Sequence, residues 1–345
     1  MPSPPPSLPV LPGYAELQCL SNFTFLRGAS WPGELVERAA ELGYTALALT
    51  DECSLAGVVR AHEEAKKHKL RLILGSQFRL DAQDSIPPLD LILLATNKEG
   101  YGNLSELITM ARVRAAKGSY RLLPGDLSHP EAGHDHLRGV PDCLAILAPA
   151  HGVARDVLAA QAGWLARTFP GRCWMGLALL NRAGDAAHRR TVEDVARARD
   201  LPVVPLGQVE MHVRSRKPLH DTLCGIRLRQ SVAECGYALA PNAEQHLRAR
   251  VHLAQVYGSE LMRESLRVAR LCTFGLDELQ YEYPEELVPA GATPTTYLRD
   301  ETYAGANRRF PEGIPDKIRD QLEKELALIS ELQYEAYFLT VHDLV

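Results

Sequence analysis

The side chains of this sequence that could do chemistry together follow short apolar runs. Asp51 and Glu52 come directly after "TALALT", Gln77 follows "LILGS", and Gln208 and Glu210 follow "VVPLG". The runs have the length of buried strands, and helical patterns separate them, which is typical of a parallel sheet. Side chains that follow the strands of a parallel barrel gather at one face, where such folds carry their chemistry. We therefore expect these side chains to lie close together, at a place suited to a metal ion.

The charged residues near these strand ends leave three interpretations open. Glu52, Glu210 and Asp90 could together hold one weakly bound Mg²⁺ or Mn²⁺ through their oxygen atoms. Alternatively, Arg27 forms a salt bridge with Glu52 or Glu210 in a polar network without a metal. The third interpretation is a solvated rim without a specific role. Asp51 is predicted to be a structural carboxylate that caps a loop rather than a ligand.

The histidines offer no metal centre on a fixed scaffold. His129, His134 and His136 lie close together in "HPEAGHDHLRG", but Gly and Pro mark that segment as a solvent-exposed loop. His151 follows the predicted strand "CLAILAPA" at the active end of the barrel and is the best isolated candidate. One histidine does not make a centre, so we predict none there.

A short basic cluster, "HVRSRK", contains Arg214, Arg216 and Lys217 and follows the last predicted strand. It indicates a weak contact with nucleic-acid phosphate, and Arg227 and Arg229 nearby favour that interpretation slightly. A solvated loop is the alternative. The chain as a whole has a formal net charge of −5, which excludes a self-sufficient nucleic-acid binder because phosphate contacts need a dense basic surface.

The composition is that of a folded globular protein in a reducing compartment. The 345 residues are 46% hydrophobic, enough for the core of one large domain or two ordinary ones. Seven cysteines without CxxC pairs indicate reduced thiols in a cytoplasm. The segment "MPSPPPSLPVLPG" lacks the charged start and apolar helix of a signal peptide, and no apolar run is long enough to predict a membrane span. Residues 1–13 are predicted to be a disordered, Pro-rich tail.

Strands alternate with helices over residues 14–210, in about six or seven units. The helix in "WPGELVERAAELGY" is an example, with Ser30 as its predicted N-cap and Gly43 as its C-cap. This alternation predicts the α/β class and a distorted (βα)7-type barrel of parallel strands rather than an open sheet.

From about Lys217 the pattern becomes helical, and a Pro- and Gly-rich connection, "YPEELVPAGATPTTY", precedes a last helical stretch. We therefore predict a barrel domain at residues 14–275 and a linker with a second helical region at 276–345. The chain stops within the apolar run "YFLTVHDLV". We expect it to be a fragment of a longer protein.

Five segments carry a resemblance to a known family: "LSNFTFLRGAS", "ERAAELGYTALALTDECSLAGVVRAH", "LLATNKEGYGNLSELIT", "MHVRSRKPLHDTLCGIRL" and "ELALISELQYEAYFLTVHDLV". In them the sequence resembles the N-terminal PHP (polymerase and histidinol phosphatase) domain of bacterial C-family, polymerase III alpha-like DNA polymerases. It is most similar to their error-prone DnaE-type branch, ImuC. The resemblance runs from Tyr14 to Val345 and implies a PHP barrel followed by the start of the polymerase palm and thumb.

Active PHP domains hold up to three metal ions with His, Asp and Glu, and the resemblance identifies the corresponding positions here. They are Gln18, Leu20, Arg27, Glu52, Gln77, Gln208 and Glu210. An alkyl side chain has no lone pair, neutral amides are poor ligands for these ions, and a guanidinium puts a cation where cations should bind. The implied phosphoesterase centre is therefore predicted to be degenerate and to hold no metal.

The resemblance implies that the parent protein is an error-prone, DNA-directed DNA polymerase, a nucleotidyltransferase of translesion synthesis, DNA repair and damage-induced mutagenesis. Such enzymes use palm carboxylates and Mg²⁺. Those carboxylates lie beyond Val345, so this chain is predicted to be catalytically inactive, without a cofactor of its own and structural in role. The implied partners are the remaining polymerase domains, DNA through the full-length enzyme, mutasome accessory proteins and the sliding clamp, in the cytoplasm and not at a membrane.

Two other functions stay open at this point. One is an active metal-dependent phosphoesterase, such as a 3′–5′ proofreading nuclease, which an intact PHP centre would imply. The other is a protein-interaction module that recruits mutasome partners. Bound metal would distinguish the first from a structural barrel, and binding of partners by the isolated barrel would test the second.

Overall fold

The computed structural model describes residues 11–279, 288–289 and 291–344. They fall into two compact units, Met1–Glu278 and Leu279–Val345. The predicted tail at residues 1–13 lies outside the described residues as far as residue 10. The boundary between the units follows Glu278, whereas the sequence placed it after residue 275.

The first unit is built on one seven-stranded sheet in which the strand order follows the sequence. Nearly all of the strand residues are buried, because helices cover the outside of the sheet and apolar side chains fill its inside. The strands are β1 (Ala15–Glu16), β2 (Ala46–Leu49), β3 (Arg71–Leu80), β4 (Leu89–Ala95), β5 (Cys143–Leu147), β6 (Cys173–Leu177) and β7 (Val203–Pro205).

One strand departs from the predicted all-parallel arrangement. β4 pairs antiparallel with both β3 and β5, while the remaining neighbours are parallel. The reason is the length of the connection, since only residues 81–88 join β3 to β4. A crossover to a parallel strand needs a dozen or more residues, so this short segment can only turn the chain back.

The predicted α/β barrel is confirmed by how the two ends of the sheet meet. Cys19, just after β1, forms a parallel bridge with Val209, just after β7. The backbone N–H of Leu20 donates to the Val209 carbonyl at 2.8 Å, and the Val209 N–H donates to the Gln18 carbonyl at 3.0 Å. The sheet therefore curls round until its first and last strands are joined.

A buried carboxylate reinforces this closure. The Oε1 atom of Glu16, at the end of β1, accepts the backbone N–H groups of Leu17 and Gln18 at 3.1 Å and of Gly207 at 2.9 Å. The Oε2 atom accepts the Tyr14 hydroxyl at 2.9 Å. Burial raises the pKa of Glu16, and these hydrogen bonds oppose that shift. Glu16 thus ties the segment after β7 to β1.

Helices pack on the sheet of the first unit by one apolar face each, as the periodicity of the sequence predicts. No helix in the described part of the chain is both long enough and apolar enough to cross a membrane. The helices are α1 (Pro32–Glu41), α2 (Val58–His68), α3 (Lys98–Val113), α4 (Pro124–Ser128), α5 (Arg155–Thr168), α6 (Asp185–Ala198), α7 (Lys217–Leu228) and α8 (Arg250–Leu271), and in the second unit α9 (Pro294–Arg309), α10 (Asp316–Glu331) and α11 (Glu335–Leu344).

The start of α1 differs from the prediction by one residue. Its N-cap is Trp31, and the Glu34 carboxylate accepts the Trp31 N–H at 2.9 Å. The predicted cap, Ser30, uses its hydroxyl to accept the His212 N–H at 2.9 Å, so a contact distant in sequence takes the place of the local one. Gly43 follows the end of the helix with φ of +68°, the left-handed conformation that favours glycine.

We predict that Glu16→Ala lowers the free energy of unfolding by about 3 kcal/mol or more, because three backbone N–H groups lose their acceptor in the core. Glu16→Gln, which keeps an acceptor oxygen, should cost clearly less. Urea denaturation followed by circular dichroism measures both. The control is Glu37→Ala, an exposed helix residue, which should change stability by less than about 0.5 kcal/mol. Equal effects of the three substitutions would contradict the role of Glu16.

Candidate functional site at the barrel mouth

A cavity of about 340 Å³ opens at the end of the barrel where the strands β1, β2 and β7 finish. We call it the mouth cavity. It is lined by all of the positions predicted to be degenerate ligands, and by Asp90. Those positions are Gln18, Leu20, Arg27, Glu52, Gln77, Gln208 and Glu210. The fold therefore brings the predicted set together, although the set spans most of the barrel sequence.

The guanidinium of Arg27 forms ion pairs with two carboxylates in the mouth cavity. Its Nη1 pairs with the Glu52 carboxylate, and its Nη2 lies 3.2 Å from Oε1 of Glu210. Burial alone lowers the pKa of Arg27, but the two carboxylates outweigh burial and raise it. Arg27 is therefore a permanent cation held between two anions, as one of the interpretations of the sequence expected.

Each carboxylate has a second partner from another part of the chain. The Tyr120 hydroxyl donates to Oε1 of Glu52 at 2.8 Å, and Nε2 of His220 lies 2.5 Å from Oε2 of Glu210. Burial raises the pKa of Glu210, but the hydrogen bond from His220 and the charge of Arg27 lower it overall. The result is a connected network from Tyr120 through Arg27 to His220, which is worth more than separate pairs.

Two further pairs of polar residues meet in the mouth cavity. Nη1 of Arg79 lies 2.9 Å from Oδ2 of Asp90, and the Gln18 amide donates to the Gln77 amide oxygen at 3.1 Å. Within the described residues, no group of three or more His, Cys, Asp and Glu side chains is placed to hold a metal ion. Glu52, Asp90 and Glu210 thus line one cavity but each faces a cation of the protein.

The residues present do not fit the metal cluster that a PHP barrel implies. Leu20 contributes a carbon surface that is only 2% exposed, so no ligand atom comes from that position. Arg27 places a positive charge between the two carboxylates that would otherwise attract a divalent ion. In the mouth cavity, the positive charge that balances the two carboxylates is therefore the Arg27 guanidinium and not a metal ion.

Asp51 has a structural role, in agreement with the sequence interpretation. It is 1% exposed, and its carboxylate accepts the Ser21 N–H at 2.8 Å, the Ser21 hydroxyl at 2.7 Å and the Thr24 hydroxyl at 2.7 Å. Burial raises the pKa of Asp51, while these hydrogen bonds lower it. Asp51 fixes the turn at residues 21–24, and this turn leads directly to Arg27.

His151 is not part of the mouth cavity. Its Nε2 lies 3.0 Å from Oδ1 of Asp185, and its ring centroid lies 5.2 Å from that of His188. His188 is buried, and burial together with the charge of His151 lowers its pKa. The isolated candidate from the sequence therefore forms a separate pair at the start of α6.

The basic cluster is already neutralised within the protein. Arg214 pairs with Glu244, Arg216 pairs with Glu34, and Lys217 contacts both oxygens of Asp221, at 2.5 and 2.6 Å. The predicted nucleic-acid contact through Arg214, Arg216 and Lys217 stays a prediction.

Sequence reasoning missed two partners in the network, Tyr120 and His220. Tyr120 lies in an irregular segment after α3, and its hydroxyl also accepts the Arg79 N–H at 2.7 Å. His220 lies on the buried side of α7, where the other buried residues are Cys224 and Gly225. A lone histidine or tyrosine in such a pattern is usually a core residue, so no local pattern could have identified either one.

Two segments of the chain match known protein families. Residues 16–145 match the PHP domain, and residues 296–345 match the bacterial DNA polymerase III alpha NTPase domain. The chain belongs to the bacterial polymerase III alpha family, as its PHP region with the start of the domain that follows. The family predicted from the sequence motifs is thereby confirmed.

Relatives in this family are similar over nearly the whole chain. An error-prone DNA polymerase of Bordetella parapertussis is 63% identical over 336 residues, which are 97% of this chain and 32% of the relative. An error-prone DNA polymerase of Ralstonia pickettii is 55% identical over 342 residues, or 98% of this chain and 32% of the relative. The chain therefore spans about a third of the length of the curated relatives it matches.

Solved structures with a related shape are more distant. A putative metal-dependent phosphoesterase from Bifidobacterium adolescentis has a TM-score of 0.41 and 14% identity, over 56% of this chain and 87% of its own. An amidohydrolase from Chromobacterium violaceum has a TM-score of 0.44 and 12% identity, over 58% of this chain and 88% of its own.

We predict that Arg27→Met lowers the free energy of unfolding by about 2 kcal/mol, because Glu52 and Glu210 then face each other without a cation. This value is below that of a fully buried pair because the Arg27 side chain is 32% exposed. The matched control is Arg79→Met in the same cavity, whose side chain is 51% exposed, with an expected change of about 0.5 kcal/mol or less. Denaturant unfolding measures both, and a larger loss for Arg79→Met would contradict the central role of Arg27.

Acidification should separate the wild-type chain from Glu210→Gln. The pKa of Glu210 is lowered from its usual 4.5, so its carboxylate stabilises the fold above about pH 4.5 and this contribution is lost as the pH falls through the folded-state pKa. The difference in unfolding free energy between the two proteins should therefore shrink from pH 6 towards pH 3. Glu37→Gln serves as an exposed control, and a pH-independent difference for Glu210→Gln would argue against the ion pair.

Proposed function

We propose that this chain is the structural PHP barrel of an error-prone, DNA-directed DNA polymerase and has no phosphoesterase activity of its own. The observation that carries the proposal is the Arg27 guanidinium held between Glu52 and Glu210, where a PHP centre would hold metal. A barrel that stabilises its mouth with an internal cation needs no metal to fold. Its role is then to support the polymerase domains that follow.

The activity proposed for the whole protein is nucleotide addition on a DNA template in translesion synthesis and DNA repair. The supporting observation is that relatives at 63% and 55% identity bear the name error-prone DNA polymerase. Palm carboxylates with Mg²⁺ would carry that chemistry. The proposed partners are the remaining polymerase domains, DNA, mutasome accessory proteins and the sliding clamp, and the proposed location is the cytoplasm.

A barrel without hydrolytic activity suits error-prone synthesis. A 3′–5′ nuclease in the same protein would remove the mismatched ends that lesion bypass must leave in place. The loss of ligand side chains at Gln18, Leu20 and Gln77 removes the means of hydrolysis, while the closed barrel and its polar network keep the scaffold intact.

Metal content tests this proposal directly. We expect the purified chain, incubated with Mn²⁺ and Zn²⁺ and then desalted, to retain less than about a tenth of an equivalent of metal, since its ligand set does not suit these ions. It should not hydrolyse a generic phosphodiester. Mass spectrometry of the metal and a colorimetric hydrolysis assay give the two measurements.

The variant Arg27→Ala is a matched comparison for the same experiment. It removes the internal cation but keeps Glu52, Asp90 and Glu210 in the mouth cavity, so it should retain more metal than the wild type. Stoichiometric metal and metal-dependent hydrolysis in the wild-type chain would overturn the proposal and favour an active phosphoesterase. Specific binding of a mutasome protein by the barrel would add an interaction role.

A further inference from the structure

A second and larger cavity lies on the outside of the barrel and has no part in the mouth. Its volume is about 1120 Å³, and it lies between the β3–β4 connection, the short helix α4 and the C-terminal end of α5. We call it the arginine cavity because five guanidinium groups line it. They belong to Arg114, Arg121, Arg138, Arg167 and Arg172.

Three of these five guanidinium groups have no carboxylate partner among the described residues. Arg114 is paired with both oxygens of Asp126, and Nη2 of Arg138 lies 3.9 Å from Oδ1 of Asp135. Among the described residues, Arg121 and Arg167 form neither an ion pair nor a side-chain hydrogen bond, and the two further acidic residues in the lining are Asp84 and Glu131. The arginine cavity therefore has an excess of positive charge in a concave space, which concentrates anions.

Arg172 is the most buried of these cations, and neutral oxygens alone bind it. Its Nη1 donates to the carbonyls of Val140 and Cys143, at 2.9 and 2.6 Å, and its Nη2 donates to the Gly139 carbonyl. Burial lowers the pKa of Arg172. A partly buried cation without a paired carboxylate is costly, and a bound anion would offset that cost.

A buried donor in the wall of this cavity has no partner within the described residues. Trp164 lines the arginine cavity and is 2% exposed, yet its indole Nε1–H has no hydrogen-bond partner. Buried donors are nearly always paired, and each exception requires an explanation. Because the Nε1 atom is enclosed, Trp164 serves as a reporter in the cavity wall rather than as a contact for a ligand.

We propose that the arginine cavity binds a phosphate-bearing small molecule of nucleotide size. Guanidinium groups recognise phosphate through paired hydrogen bonds between opposite charges, which are stronger than those to a neutral acceptor. The volume exceeds that of a single phosphate ion, and Ile86, Leu123 and Pro170 give the cavity apolar surface for an organic group. This site goes beyond the proposed structural role of the barrel, because it would make the barrel a receptor for a free nucleotide.

The test measures binding of ADP and of adenosine to the whole chain by isothermal titration calorimetry. We expect ADP to bind and adenosine not to bind at the same concentration, because the phosphates provide the attraction. The double variant Arg121→Gln/Arg167→Gln should weaken ADP binding at least about tenfold. Both side chains are exposed and unpaired, so the variant is expected to fold like the wild type.

The control variant is Arg155→Gln/Arg270→Gln, which removes the same charge at exposed positions outside the arginine cavity and should leave ADP binding unchanged. If both double variants weaken ADP binding equally, the net charge of the protein explains the loss of affinity, and the proposal is overturned. The absence of ADP binding at millimolar concentration would overturn it as well. If a 5′-phosphorylated oligonucleotide binds and ADP does not, the ligand is a DNA end and not a free nucleotide, and the proposal is contradicted.

Nuclear magnetic resonance locates the ligand. The chain has three tryptophans, and the indole N–H resonance that disappears in Trp164→Phe identifies Trp164. We expect ADP to shift that resonance, because a charged ligand in the arginine cavity changes the environment of the Trp164 ring in its wall. An indole signal that does not move at saturating ADP would place the ligand elsewhere.

Discussion

The rest of the barrel depends on the junction between its first and last strands. A curled sheet of seven strands has two free edges unless these meet, and here they meet through the Cys19–Val209 bridge and the buried carboxylate of Glu16. Three backbone N–H groups from both sides of the junction converge on one carboxylate oxygen. A carboxylate can accept them all at once, which a neutral hydroxyl group does less well.

The mouth cavity follows from this junction. Arg27 lies in the turn after β1, whereas Glu210 lies just after β7, and only closure brings them within 3.2 Å. Asp51 then fixes the turn that carries Arg27, and His220 holds Glu210 from the side of α7. The electrostatic balance of the mouth is thus an outcome of barrel geometry. A single guanidinium lies between two carboxylates at this place.

The two cavities show different relations between charge and structure. In the mouth cavity each described cation is matched by a carboxylate. In the arginine cavity the balance is incomplete, because Arg121 and Arg167 have no partner among the described residues and Arg172 binds neutral carbonyls. Completed networks stabilise a fold, whereas incomplete ones of this kind are typical of sites that receive a charged partner.

Much of the fold could be predicted from local sequence. Apolar runs such as "LILGS" and "CLAIL" predict buried strands. The helical periodicity between them predicts alternating strands and helices, as in a barrel. The amide and alkyl side chains at Gln18, Leu20 and Gln77 are likewise a property of residue type, and the prediction of a degenerate centre rests on them and on the likeness to the PHP family.

Only the tertiary structure decided the direction of β4, the cap of α1 and the partners of the carboxylates. The short connection before β4 reverses the strand, a feature that apolar composition does not encode. Ser30 lost its expected capping role because His212 takes its hydroxyl. Tyr120, His220 and Trp164 came to their positions through contacts far apart in the chain. Local patterns specify which segments are buried, because burial follows from the apolar residues of a segment itself. Long-range packing determines which buried polar groups find partners, because those partners come from distant parts of the chain.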